Sequence, residues 1–141
     1  MKNKISPDQE IGSELTITER NQFFSINEKQ GNQIKSLRIE NQSIDEEIVR
    51  EFCKFNDELE KLYFVNYFFS SIYVSFVLSN FPGIKKIGFI RCNLSYDILK
   101  LLLCAAAPYN NFDSLDLTGN GLGKDSIYSL KFYINQLCCD G

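Results

Sequence analysis

The chain has 141 residues, 44% of them hydrophobic and 23% charged, which suits one packed domain and argues against disorder. Its 15 Lys and Arg against 18 Asp and Glu give a net charge of -3, whereas a nucleic-acid binder carries a basic surplus or stripe. There is no His and no Trp, which removes the commonest general base, the Ser-His and Cys-His nucleophile pairs and the His-containing zinc sets.

Residues 1–12 are polar and contain Pro7, so a frayed start is expected. The first lysines are not followed by an apolar core, and no signal peptide is visible. Leu15, Ile17, Phe23, Phe24 and Ile26 come next. They fit either a degenerate repeat or a hairpin capping the first clear strand. That strand opens a frame with apolar residues at Ile34, Leu37, Ile39 and Ile44. The same frame returns as Leu59, Leu62, Phe64 and Phe69, then as Ile84, Ile87, Phe89 and Leu94, then as Phe112, Leu115, Leu117 and Leu122. Leu37, Leu62, Ile87 and Leu115 are 25, 25 and 28 residues apart.

Within each copy the middle pair alternates, as in a short strand with one buried face. Beyond it the period turns helical. In the first copy Ile44, Ile48, Val49, Phe52 and Phe55 share a face, and Ser43 with Glu46 reads as a capping box. The second helix is expected at 71–81 with Ile72, Phe76 and Val77 inward. The third is expected at 95–107, stopped by Pro108, and the fourth at about 125–138. The unit is strand, turn, helix and loop. No unit can bury its apolar face alone, so neighbours must stack.

This frame resembles the leucine-rich repeat, whose pattern is L-x-x-L-x-L-x-x-N/C-x-L. The copy nearest to it is Phe112-Asp-Ser-Leu115-Asp-Leu117-Thr-Gly-Asn120-Gly-Leu122. Cys92 holds the Asn/Cys position in the third copy, while Gln42 and Tyr67 depart from it. The resemblance is to the ribonuclease-inhibitor-like class. It implies an α/β fold, a right-handed solenoid with a parallel sheet on the concave face and helices on the convex face. Residues 1–33 would be an extension and cap, followed by repeats at about 34–58, 59–83, 84–111 and 112–139. Gln42 would bond the turn over a longer reach, and Tyr67 would distort it.

The outward strand residues of such a stack would form its working surface. They give a patch of Tyr63, Val65 and Ile90, bordered by Arg38, Glu40, Lys61, Lys86, Arg91 and Asp116. An aromatic centre with a charged rim is the anatomy of a protein interface. The expected role is therefore a non-catalytic protein-binding module, with no cofactor, metal, nucleic acid or membrane partner. Two alternatives belong to the same resemblance. One is the recognition segment of a larger adaptor, such as a ubiquitin-ligase substrate receptor. The other is a secreted bacterial effector that binds a host protein, an analogy prompted by the richness in Asn, Lys, Ile and Phe. A second copy or further repeats would cover the last strand's edge.

Other motifs carry less. Gly119–Asp125 has the setting of a phosphate-binding loop, but its glycines are one residue too close and Asp125 stands where Ser or Thr would hold magnesium. Asn120-Gly121 would make a hairpin turn only with a second alternating run after it. Asp57, Glu58 and Glu60 read as a solvated loop, and Asp113 with Asp116 as carboxylates on opposite sides of a strand. Cys92 reads as a buried thiol rather than a nucleophile. The five cysteines, adjacent Cys138 and Cys139 included, show no C-x-x-C pair. An odd number without a secretory signal suggests reduced thiols and a cytoplasmic location, or delivery into a host cell by a non-classical route.

Overall fold

The alternating pairs of the frame all become neighbouring strands. The computed structural model describes residues 4–55, 57–67, 71–106, 112–126 and 128. Among them run β1 (Glu14–Ile17), α1 (Arg20–Ser25), α2 (Glu28–Gly31), β2 (Ser36–Glu40), α3 (Glu46–Glu51), β3 (Lys61–Val65), α4 (Ser71–Asn80), β4 (Lys86–Ile90), α5 (Tyr96–Ala106) and β5 (Ser114–Asp116). The five strands form one parallel sheet in chain order. Leu15, Leu37, Leu62, Ile87 and Leu115 stand abreast in register.

The same backbone bonds recur at each step. Before each of the inner rungs, two successive amides donate to one carbonyl of the previous rung. Glu60 and Lys61 donate to the Lys35 carbonyl at 2.8 and 3.0 Å, and Lys85 and Lys86 to the Glu60 carbonyl at 2.8 and 3.1 Å. Immediately after the strands, Asn41, Asn66 and Arg91 take positive φ of 60°, 54° and 52°, and Gly119 takes 78°. The amides of Asn41, Asn66 and Arg91 donate to the carbonyls of Val65, Ile90 and Thr118. Short polar residues and glycine tolerate this left-handed backbone, and Arg91 is the costly exception.

Among the described residues the helices pack against one face of the sheet. Leu37, Ile39, Leu62, Phe64, Ile87 and Phe89 are buried in one cluster with Ile48, Phe52, Val74, Leu78, Leu99 and Leu102. Phe64 and Phe89 stack at 5.7 Å with 6° between their planes. The frame residues of the first three copies that are described are all buried, whereas Phe112, Leu115, Leu117 and Leu122 are half-buried. Those four lie in the last described rung, which has a described neighbour on one side only. Phe69, Cys138, Cys139 and nearly all of the expected fourth helix lie outside the described residues.

Several local expectations are corrected. Residues 14–32 are no hairpin, since β1 runs parallel to β2 and short helices follow it. The cap of α3 is Asp45, which accepts from the Ile48 amide at 3.0 Å, and not Ser43 with Glu46. That bond, and then Arg20 at 2.9 Å, hold the Asp45 carboxyl below its ordinary range. In α4, Val77 is inward with Val74 and Leu78, but Ile72 and Phe76 are exposed. An uncharged helix offers apolar residues on every side, so periodicity alone does not choose its inner face.

The turn position behaves as a ladder. Gln42 Nε2 donates to the Thr18 carbonyl at 2.8 Å and the Glu40 carbonyl at 3.2 Å. The Cys92 thiol donates to the Phe64 carbonyl at 3.3 Å. Asn120 Oδ1 accepts from the Cys92 and Leu94 amides at 2.9 and 3.1 Å, and its Nδ2 donates to the Phe89 and Leu117 carbonyls. Gln42, Cys92 and Asn120 each bond both the previous rung and their own turn or strand end. Tyr67 is buried and sends its hydroxyl 3.4 Å to the Ile44 carbonyl, so it too reaches the previous rung, by a different route.

Candidate functional site

Alternation that buries Leu62 and Phe64 sends Lys61, Tyr63 and Val65 to the face without helices. Register then assembles three rows on this open face. Glu14, Ser36, Lys61, Lys86 and Ser114 make the first, and Thr16, Arg38, Tyr63, Gly88 and Asp116 the second. Glu40, Val65 and Ile90 make the third. The sheet thus brings the expected site residues together on one face, with Arg91 just past the strand end.

Two of them are not exposed. Val65 is 1% and Ile90 8% accessible, and neither belongs to the main core cluster. They are register neighbours between Glu40 and the end of β5, with Tyr63 two residues back on the same face. The pair therefore forms a buried floor of this face instead of the contact surface expected from sequence.

Tyr63 is half-buried and occupies the gap left by Gly88. A Cβ on Gly88 would run into Tyr63 Cδ1 and stand 3.1 Å from its Cε1 and 3.4 Å from Asp116 Cβ. The ring therefore lies across β4 toward β5. Its hydroxyl has no hydrogen bond among the described residues. Sequence reasoning places Gly88 on this face beside Tyr63 but gives it no role; the available signal was a glycine in a strand, a mark of close approach.

The charges divide into paired and unpaired. Arg38 Nε donates to Glu40 Oε2 at 2.8 Å. Asp116 accepts from Thr118 Oγ1 at 2.6 Å and from its amide at 3.1 Å, and these bonds, with the Arg38 charge, hold its carboxyl below the usual range. Arg91 Nε donates to Asn66 Oδ1 at 3.0 Å, and its stem covers Gly119, where a Cβ would stand 2.6 Å from Arg91 Cγ. Lys61 and Lys86, side by side, have no ion pair among the described residues.

Chemistry is sparse elsewhere. No group of three or more possible metal-ligating side chains occurs among the described residues. Burial pushes the Cys92 thiol up from its ordinary value. In the native protein a thiol reagent is expected to label exposed Cys53 and Cys104 and spare Cys92. Peptide mapping by mass spectrometry reads this directly, and equal labelling of all three would contradict the burial. Asn120 does not form a phosphate loop; it turns inward to bond the backbone.

The helix face adds a feature that sequence reasoning missed. A groove of about 850 Å³ between α3 and α4 is lined by Val49, Phe52, Phe55, Ile72, Phe76 and Phe81. The available signal was the lack of any charge over 71–80. No helix among the described residues is long and apolar enough to cross a membrane. Compared with protein-family models, curated proteins and solved structures, the chain matches none of the three.

Proposed function

We propose that this chain is a protein-binding module of leucine-rich-repeat type, a solenoid that acts through its open, concave face without catalysis. The parallel rungs of about 25 residues and the turn ladder through Gln42, Cys92 and Asn120 support the repeat reading. The observation that carries the binding reading is Tyr63. Its ring is laid over a side-chain-free strand position, and its hydroxyl has no hydrogen bond among the described residues. Aromatic side chains held in this way are the usual anchors of interfaces. A buried, high-pKa Cys92 and the lack of His support a role without nucleophilic chemistry.

Tyr63→Ala and Lys86→Glu test the reading against a partner identified by quantitative interaction mass spectrometry. Each is expected to weaken binding by about 2 kcal/mol, near thirtyfold. Thermal unfolding is expected to stay within a few degrees of wild type, since neither residue lies in the core cluster. Retained affinity in both variants, with the fold intact, would refute the open face as the working surface.

A further inference from the structure

We infer that the segment taken up by the open face is acidic: an extended stretch of polypeptide whose Asp or Glu carboxylates lie against Lys61 and Lys86. The inference rests on the binding reading above and adds the partner's chemistry. Four cations stand on or beside this face; one is paired with a carboxylate and another hydrogen-bonds a neutral amide. Arg38 is bonded to Glu40, and Arg91 to Asn66. Lys61 and Lys86 are register partners on β3 and β4, about 4.8 Å apart by strand spacing. Their row continues with Ser36 on one side and Ser114 on the other, neither of them anionic. Glu60 precedes Lys61, and no ion pair joins it to either lysine among the described residues.

Like charges directly opposite in a sheet repel. A carboxylate seated between these two removes that repulsion and gains two attractions. The adjoining row offers the Tyr63 ring and hydroxyl to the residue beside the carboxylate. Arg38 and Asp116, in the row of Tyr63, and Glu40, in the row beyond, are internally satisfied. The two lysines without a counter-charge therefore ask for negative charge at the strand starts. A nucleic-acid strand would bring phosphate along its whole length, against Glu40 and Asp116 and a net charge of -3.

The test pans a random linear dodecapeptide display library on the full chain. One enriched peptide is then made with a fluorescent label, alongside its counterpart with Gln and Asn replacing Glu and Asp. Enriched sequences are expected to carry at least two acidic residues. The neutral counterpart is expected to bind about tenfold more weakly by anisotropy. Lys61→Ala/Lys86→Ala and the stem-preserving Lys61→Gln/Lys86→Gln should show the same loss, and Lys124→Ala none. Enriched peptides that lose affinity with Tyr63→Ala but not with either lysine pair overturn the acidic assignment and leave the binding reading standing. Peptides indifferent to all these variants, or no enrichment, overturn both. An oligonucleotide of about 20 nucleotides that binds more tightly than the acidic peptide overturns the assignment in favour of phosphate.

Discussion

Asn120→Ala is expected to destabilise the protein by about 3 kcal/mol, although the residue makes no apolar contact of note. The side chain is 9% exposed and meets four backbone groups. It accepts from two amides, Cys92 and Leu94, and donates to two carbonyls, Phe89 and Leu117. Truncation removes all four bonds at once, and a buried polar group left without a partner costs about 1–3 kcal/mol. Water entering the vacated space recovers part of this, so the sum is set at the lower end. Asn120→Asp keeps the acceptor but loses the donor and sets a carboxylate against the Phe89 carbonyl. At neutral pH it is expected to be no better than the alanine. Urea unfolding, extrapolated linearly to water, measures both. A loss under about 1 kcal/mol for Asn120→Ala would mean that the ladder is decorative.

The second large effect lies one residue from the proposed anchor. Phe64→Ala is expected to cost about 3–5 kcal/mol, because it deletes a wholly buried ring and leaves a cavity against Phe89 and Tyr67. Phe64→Leu, nearer in volume, should cost under about 1.5 kcal/mol. Tyr63 and Phe64 are adjacent in sequence and on opposite faces of β3. Tyr63→Ala is expected to lose binding and keep the fold, whereas Phe64→Ala loses the fold. A large stability loss from Tyr63→Ala, or a negligible one from Phe64→Ala, would show that the two faces are assigned the wrong way round.

The strands and their order were legible because apolar residues repeat there with period two inside a longer repeat. A one-residue slip would expose Leu37 and Ile39 together, so register is firmly set. The helices were harder. Ile72 and Phe76 share a face with i,i+4 spacing, but so do Val74 and Leu78, and only tertiary packing selects the second pair. Register sets the expected strand residues side by side, but the relief of the face differs from the expectation. Val65 and Ile90 alternate outward as expected, yet both are buried. Alternation gives direction only; depth depends on what stands in the next strand. The role of Gly88 was overlooked for the same reason, since it is defined by Tyr63 on another strand.

One consequence follows from strands that, among the described residues, each pair only with the strand before and the strand after. Among the described residues no pairing between β1 and β5 closes the sheet, so opening is expected to begin at these two strands and travel inward. Amide hydrogen exchange should therefore be graded, slowest in β3 and faster toward either side. The strand bearing Tyr63 and Lys61 is then the last to open, and the recognition surface keeps its shape while the margins of the sheet breathe.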